Sequence, residues 1–290
     1  MRIGFPAKPI KALQYGDTDD FRLNLQRMEH LAAFLDSVDI DYYRFPSKMF
    51  PNILGTFNGE AIKIKSMDYI KNDLLAVSEL GKYFRMLNIR TSVHASHYCN
   101  PISKNDMVVA QSVAEVEALA FFLTHFGKGW IELRIGAPGK ENRKIAIDRF
   151  ESFLNKLTES ARSKIRIEND SRKGCLGTVE DCIYVADTFN VNLVFDIGNF
   201  SLNPLEDKSN PIQIVEAFVS RWGQSTPSIN YDNYKRGTRA MEKIDEASFW
   251  TFIQCFEGKL FDVMIETKRQ EFDVIAVKNY AYDNGLERYL

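Results

Sequence analysis

The sequence predicts an α/β chain closed into a single (β/α)8 barrel domain over residues 1–290, and three observations predict it. Eight short apolar runs alternate with amphipathic helical patterns, the order expected of successive right-handed βα units. His94, Glu168, Asp196 and Glu266 each lie on or just after the last residues of one of those runs, the end at which such barrels keep their chemistry. The first run is followed by Pro6, Ala7, Lys8 and Pro9 instead of a glycine-rich phosphate turn, which argues against an open doubly wound sheet.

The elements follow in order. Residues 2–7 (RIGFPA) and 41–46 (DYYRFP) read as the first two strands, with helix-period LNLQRMEHLAAFLD (23–36) between them. MDYIKNDLLAVSELGKYF (67–84) returns apolar residues every three or four positions and leads to strand RTSVHA (90–95). AEVEALAFFLTHF (114–126) and RKIAIDRFESFLNKL (143–157) flank WIELRIG (130–136), and KIRIEND (164–170), NLVFDIG (192–198), PSINYD (227–232) and FDVMIE (261–266) complete the set. Segments 96–112 and 199–211 are the longest polar connections after strands, and both leave the face where the acidic residues collect. No linker, low-complexity tract or repeat interrupts the alternation.

A net charge of −2 and a pI near 6.2 give no global attraction to nucleic acid or anionic membrane, so a polyanion must be held by a local basic patch. Cys99, Cys175, Cys182 and Cys255 form no C-x-x-C pair, which suits free thiols in a reducing compartment. The N-terminus lacks an apolar signal region, and no stretch is read as long enough to span a membrane. A soluble, unprocessed, cytoplasmic monomer is expected.

Carboxylates and an imidazole converging at one end of a barrel are most economically explained by a divalent cation. A single acid at a strand end is more often a helix cap or an ion-pair partner; three acids and a histidine on four strands shift that balance. In IENDSRKG the alternation turns Glu168 inward, opposite Ile165, Ile167 and Asn169, and leaves Asp170 to cap the next helix. His94 and His97 stand at one strand–loop junction, where a functional and a turn-stabilising reading weigh equally, whereas His30 and His125 lie inside helical patterns and read as structural. Tyr98 offers a flat surface for stacking on a base. Arg44, Lys48, Arg134, Arg236, Arg239 and Lys268 all follow strands and would make one rim attractive to phosphates.

At YRFPSKMFP, SVHASHYCNP, RIENDSRKG, LVFDIGN and FDVMIETK together, the chain resembles the UV damage endonuclease family over almost its whole length. These are metal-dependent DNA-repair enzymes on a TIM barrel, related to endonuclease IV and the xylose-isomerase-like barrels. The resemblance implies incision of duplex DNA beside a damaged base pair by a cluster of divalent ions, Mn²⁺ usually among them, with metal ligands at His94, Glu168, Asp196 and Glu266. It also marks departures. Arg134, Asn199, Asn230 and Arg239 stand where the family has histidines, and Ser228 where it has a lysine. Among the lesion-probing positions Phe5 replaces a tyrosine, His97 replaces a glutamine, and Tyr98 is kept.

Physically, the surviving ligands with an amide oxygen from Asn230 suit one or two ions, Mn²⁺ foremost with Mg²⁺ or Zn²⁺ as alternatives. Glu168 and Glu266 are then the catalytic carboxylates. Phe5, Arg44, Lys48, His97, Tyr98, Arg134, Arg236, Arg239 and Lys268 form the expected DNA contacts. The alternatives are a DNA-binding member that no longer incises, or a sugar-isomerase-like enzyme built on the same carboxylates.

Overall fold

Eight parallel strands close a barrel, each formed where the chain alternates between two environments. The computed structural model describes residues 1–6, 20–50, 53–57, 60–64, 67–206, 211–221, 226–232 and 243–290. The barrel strands are β1 (Ile3–Pro6), β2 (Tyr42–Phe45), β5 (Arg90–His94), β6 (Gly129–Arg134), β7 (Ile165–Glu168), β8 (Asn192–Asp196), β9 (Ser228–Tyr231) and β10 (Asp262–Ile265). They pair in the cyclic order β1, β2, β5, β6, β7, β8, β9, β10, and β10 returns to β1 through Ile3↔Val263 and Gly4↔Met264. All eight expected strands are present within a residue or two of their expected limits.

One more pair of strands, β3 (Ile53–Phe57) and β4 (Glu60–Ile64), forms an antiparallel hairpin outside the barrel. The sequence between them is Asn58-Gly59, the strongest short-range signal for a hairpin turn, which periodicity alone does not register. The helices are α1 (Phe21–Ser37), α2 (Met67–Asn72), α3 (Leu74–Met86), α4 (Asp106–Thr124), α5 (Arg143–Leu154), α6 (Glu159–Arg162), α7 (Val179–Phe189), α8 (Ile197–Leu202), α9 (Pro211–Ser220), α10 (Glu246–Gln254) and α11 (Glu271–Asp283). The expected helix at 67–84 is broken near Asp73 into α2 and α3.

The period of two sorts each strand's side chains between two cores. Ile3, Phe5, Tyr43, Phe45, Ile131, Leu133, Ile167 and Phe195 join the layer between sheet and helices, which forms one continuous apolar cluster. The barrel interior has its own small apolar cluster of Tyr42, Trp130 and Met264, with the Arg166 guanidinium 3.6 Å above the Trp130 ring. Gly4 is required beside it: a Cβ there would lie 2.1 Å from the Tyr42 carbonyl oxygen. Arg90 pairs with Asp262 toward the amino-terminal ends of the strands. The rest of the interior is polar and leads to the carboxyl end.

Two expectations change here. Asp170 does not cap a helix; it accepts from the Arg172 backbone N–H at 3.0 Å and pairs with its guanidinium at 2.7 Å, while Thr178 and Asp181 form the capping box of α7. The reading that no stretch approaches a membrane span is also revised, because α4 is long and apolar enough by length and composition alone. Its place in the structure is the outer helical layer against β6, with Glu115 and Glu117 bonded to Ser96 and Thr158.

Candidate metal centre and active site

His94, Glu168 and Asp196 end their strands and Glu266 follows β10 directly, so their positions are set by register. Pairing Arg134↔Glu168 and Asp196↔Asn230 brings these side chains to one level. One carboxylate oxygen each from Glu168, Asp196 and Glu266 lies within 4.8 Å of the others. His94 joins through Nε2, 2.8 Å from Glu168 Oε2. Its Nδ1 donates to the Ala95 carbonyl oxygen at 2.6 Å, which fixes the ring and leaves Nε2 toward the carboxylates. His94, Glu168 and Glu266 line a pocket of about 290 Å³ at the carboxyl end of the barrel.

Glu168 is buried and holds three partners. Arg134 Nε donates at 2.9 Å and Asn230 Nδ2 at 2.8 Å, in addition to His94. Burial opposes its ionisation, but the charges of His94 and Arg134 outweigh that and hold the carboxyl well below the usual range. His94 is correspondingly raised, burial being overcome by Glu168. Arg44 spans the barrel top: one nitrogen donates to Glu132 at 2.6 Å and another to Glu266. Glu132, fully buried, also accepts from Ser92 at 3.0 Å and from Trp130 and Asn230 at 3.3 Å.

Asp196 is fixed differently. Asn169 clasps its backbone, donating to its carbonyl at 2.8 Å and accepting its N–H at 2.7 Å, so two neighbouring strands are tied just below the carboxylates. Asn199 then donates to both carboxylate oxygens, at 2.6 Å from its backbone and 2.9 Å from its side chain. Burial and then the charges of Glu168 and Glu266 push Asp196 well above the usual carboxylate range. Asp232, on the same wall, is pushed up to about 7 by burial and then by Glu266. Its Oδ1 and the Asn230 Oδ1 are buried without a hydrogen-bond donor among the described residues. Gly198 makes room for Asp232, since a Cβ there would lie 2.3 Å from Asp232 Oδ2.

Five carboxylates, Glu132, Glu168, Asp196, Asp232 and Glu266, therefore face two guanidiniums, Arg44 and Arg134, and one imidazole. The surplus of carboxyl groups, and among the described residues the two acceptor oxygens without donors, are what a divalent cation satisfies. Oxygen-rich with one imidazole, the set fits Mn²⁺ or Mg²⁺.

Other expected site residues fall elsewhere. Phe5 is fully buried in the outer core, edge-on to Tyr43 at 5.5 Å, so it cannot meet DNA; the same alternation that turns Gly4 inward turns Phe5 outward. Arg44 is not a rim cation but a buried strut between two carboxylates. Arg134 lines the pocket, as does His97, whose ring centre lies 6.3 Å from that of His94. Tyr98 is 90% exposed beside them, and Lys268 is exposed after Thr267. The Lys48 side chain, Arg236 and Arg239 lie outside the described residues. Glu132, Asp232 and Gln270 were missed, although the spacing Trp130, Glu132, Arg134 already placed Glu132 on the inward face.

The family model for UV-endonuclease UvdE matches residues 19–283 of this chain. The chain belongs to the UV-endonuclease family. A curated relative, the UV DNA damage endonuclease of Clostridium perfringens, is 22% identical over 302 residues, covering 96% of this chain and 70% of that protein. Among solved structures, SacUVDE superposes with a TM-score of 0.79 at 20% identity, over 98% of this chain and 99% of that one. Endonuclease IV from Thermus thermophilus gives 0.63 at 13% identity, over 98% and 100% of the two chains. These likenesses establish the TIM barrel. Within this UV-endonuclease family member, the described residues that depart from the expected histidines are engaged with the carboxylates: Arg134 and Asn230 with Glu168, and Asn199 with Asp196.

Proposed function

We propose that this protein is a divalent-metal-dependent endonuclease that incises duplex DNA beside UV-type lesions. The observation that carries the reading is the carboxylate trio of Glu168, Asp196 and Glu266 within 4.8 Å, with His94 Nε2 directed at it, in a barrel of the UV-endonuclease family. His94, Glu168, Asp196, Glu266 and the free oxygen of Asn230 would hold one or two ions, Mn²⁺ foremost and Mg²⁺ or Zn²⁺ as alternatives. A cation bound there supplies Lewis-acid polarisation of a phosphodiester and a more acidic water.

The chain's own residues do the positioning. Arg134 uses Nε for Glu168 and, among the described residues, has its terminal nitrogens left to meet a phosphate oxygen, a bidentate geometry suited to phosphate. Arg44 holds Glu266 against Glu132 and so keeps its second oxygen toward the pocket. His97 and Tyr98 present rings at the rim for an unstacked base. Lys268 is an exposed cation two positions after Glu266, and Lys48, Arg236 and Arg239 extend the proposed DNA contact. Cytoplasmic location and a monomeric state belong to the same reading.

A second reading has one observation in its favour: Glu168 and Glu266 are already paired with guanidiniums, which lowers the demand for added cations and fits a DNA-binding protein that does not incise. Elemental analysis together with incision of ultraviolet-irradiated and undamaged duplex in Mn²⁺, Mg²⁺ and Zn²⁺ separates the two. Cation-dependent cutting confined to irradiated DNA supports the first. Binding without cutting in every metal supports the second, and failure to bind DNA at low salt removes both in favour of a small-molecule substrate.

A further inference from the structure

Gln270 stands four positions after Glu266, at the head of α11, with φ 50° and ψ −114°. Those angles are those of the second residue in a type II′ turn, which glycine enters freely and other residues enter with strain. The turn is fastened on both sides. The Gln270 N–H donates to the Thr267 hydroxyl at 3.3 Å, and its carbonyl accepts the N–H groups of Asp273 at 3.0 Å and Val274 at 3.2 Å. The residue lines the pocket next to Glu266 and Thr267 and is 5% exposed.

A primary amide brings two donors and an acceptor, and with the residue 5% exposed these groups can meet only what enters the pocket that Gln270 lines. Among the described residues, none bonds to the Gln270 side chain. A chain that needed only the turn would be best served by glycine, which removes the strain. Glutamine keeps that strain and places an amide with no partner among the described residues at the mouth of the pocket, and a ligand that bonds the amide accounts for both.

We propose that Gln270 is a substrate-contacting residue whose amide donates to a non-bridging oxygen of the phosphodiester strand seated over Glu266. The assignment rests on the nuclease reading. A neutral donor suits this wall, where Glu266 and Asp232 already place negative charge, because it grips a phosphate without forming an ion pair with the carboxylates that the cation needs.

The test compares wild type with Gln270→Gly and Gln270→Ala in thermal unfolding, in duplex-DNA binding at fixed salt, and in single-turnover incision. The glycine variant should unfold at a higher temperature, while both variants bind DNA roughly tenfold more weakly, the scale of one lost hydrogen bond to a charged group. A duplex carrying one methylphosphonate should lose affinity for wild type at a single position and lose nothing further with Gln270→Ala. Wild type that binds DNA, with both variants binding equally well, overturns the role of Gln270 alone. Wild type that binds no DNA overturns the nuclease reading and this assignment together. Greater stability with weaker binding in the glycine variant supports it, since a purely structural glutamine would not separate the two.

Discussion

Glu168 is the side chain on which the candidate site turns, because His94, Arg134 and Asn230 all bond to it. Replacing it by glutamine keeps its shape but removes the charge and one acceptor, so Mn²⁺ affinity should fall at least tenfold and incision by orders of magnitude. DNA affinity at low salt should hold or tighten as repulsion of phosphate is relieved. Calorimetric titration with Mn²⁺ beside a gel incision assay checks this, and unchanged Mn²⁺ affinity would remove Glu168 from the ligand set. Much of this residue-scale picture is legible in the sequence, since polar residues ending apolar runs announce an inward carboxyl-end site. What was not legible is which face a wholly apolar strand turns inward: β1 is apolar on both sides, so nothing in RIGFPA told Phe5 from a pocket residue. Nor could the sequence show that Arg44 would be consumed by Glu132, a partner 88 positions away.

At the scale of elements, the loop after β5 owes its shape to α4. Glu115 accepts the Ser96 backbone N–H at 2.6 Å and its hydroxyl at 2.7 Å, and the Ser112 hydroxyl accepts the Asn100 N–H at 2.9 Å. Those bonds hold the segment that presents His97 and Tyr98. Glu115→Ala leaves the Ser96 groups without their partner, at a cost of about 1–3 kcal/mol. The expected result is a weakened preference for irradiated over undamaged DNA with Mn²⁺ affinity intact. Competition binding beside metal titration distinguishes this from general damage, which would lower both. Helix and strand assignments were readable because the two periods are distinct over long runs. The β3–β4 hairpin escaped because it belongs to no βα unit, and an expectation built on βα alternation has no place for it.

For the whole molecule, the buried acids set how stability depends on pH. Asp196 and Asp232 are raised in the folded protein, Asp232 to about 7, while an unfolded aspartate titrates near ~3.9. The folded state thus holds protons that the unfolded state has released. The contribution of Asp232 is full below about pH 4 and is lost as pH rises through about 7, and that of Asp196 is lost in the same direction as pH rises through its own raised value, at roughly 1.4 kcal/mol for each tenfold difference in proton affinity between the two states. Glu168 acts in the opposite sense, since its lowered value makes its contribution vanish as the solution turns acid. Cation-free protein should therefore melt at a lower temperature at pH 8 than at pH 5, and added Mn²⁺ should restore more at pH 8, where the carboxylates are ionised. Calorimetric scans with and without Mn²⁺ decide it; an equal Mn²⁺ gain at both pH values would contradict a site built from these acids.

The small cluster inside the barrel gives this chain an optical handle on its own candidate metal site. Trp130 stacks under Arg166 and donates to Glu132, and Glu132 in turn is bonded to Arg44 and Asn230, which reach Glu266 and Glu168. Trp250 is walled off in the outer layer, its indole N–H given to the Val277 carbonyl. Any ligand that redistributes charge among the carboxylates alters the field across the Trp130 indole and leaves that of Trp250 unchanged; Trp222, the third tryptophan, lies outside the described residues. With Trp222 replaced by Phe in both, fluorescence of a Trp250→Phe variant should then shift on titration with Mn²⁺, and the Trp130→Phe counterpart should stay silent, so occupancy becomes measurable without a turnover assay.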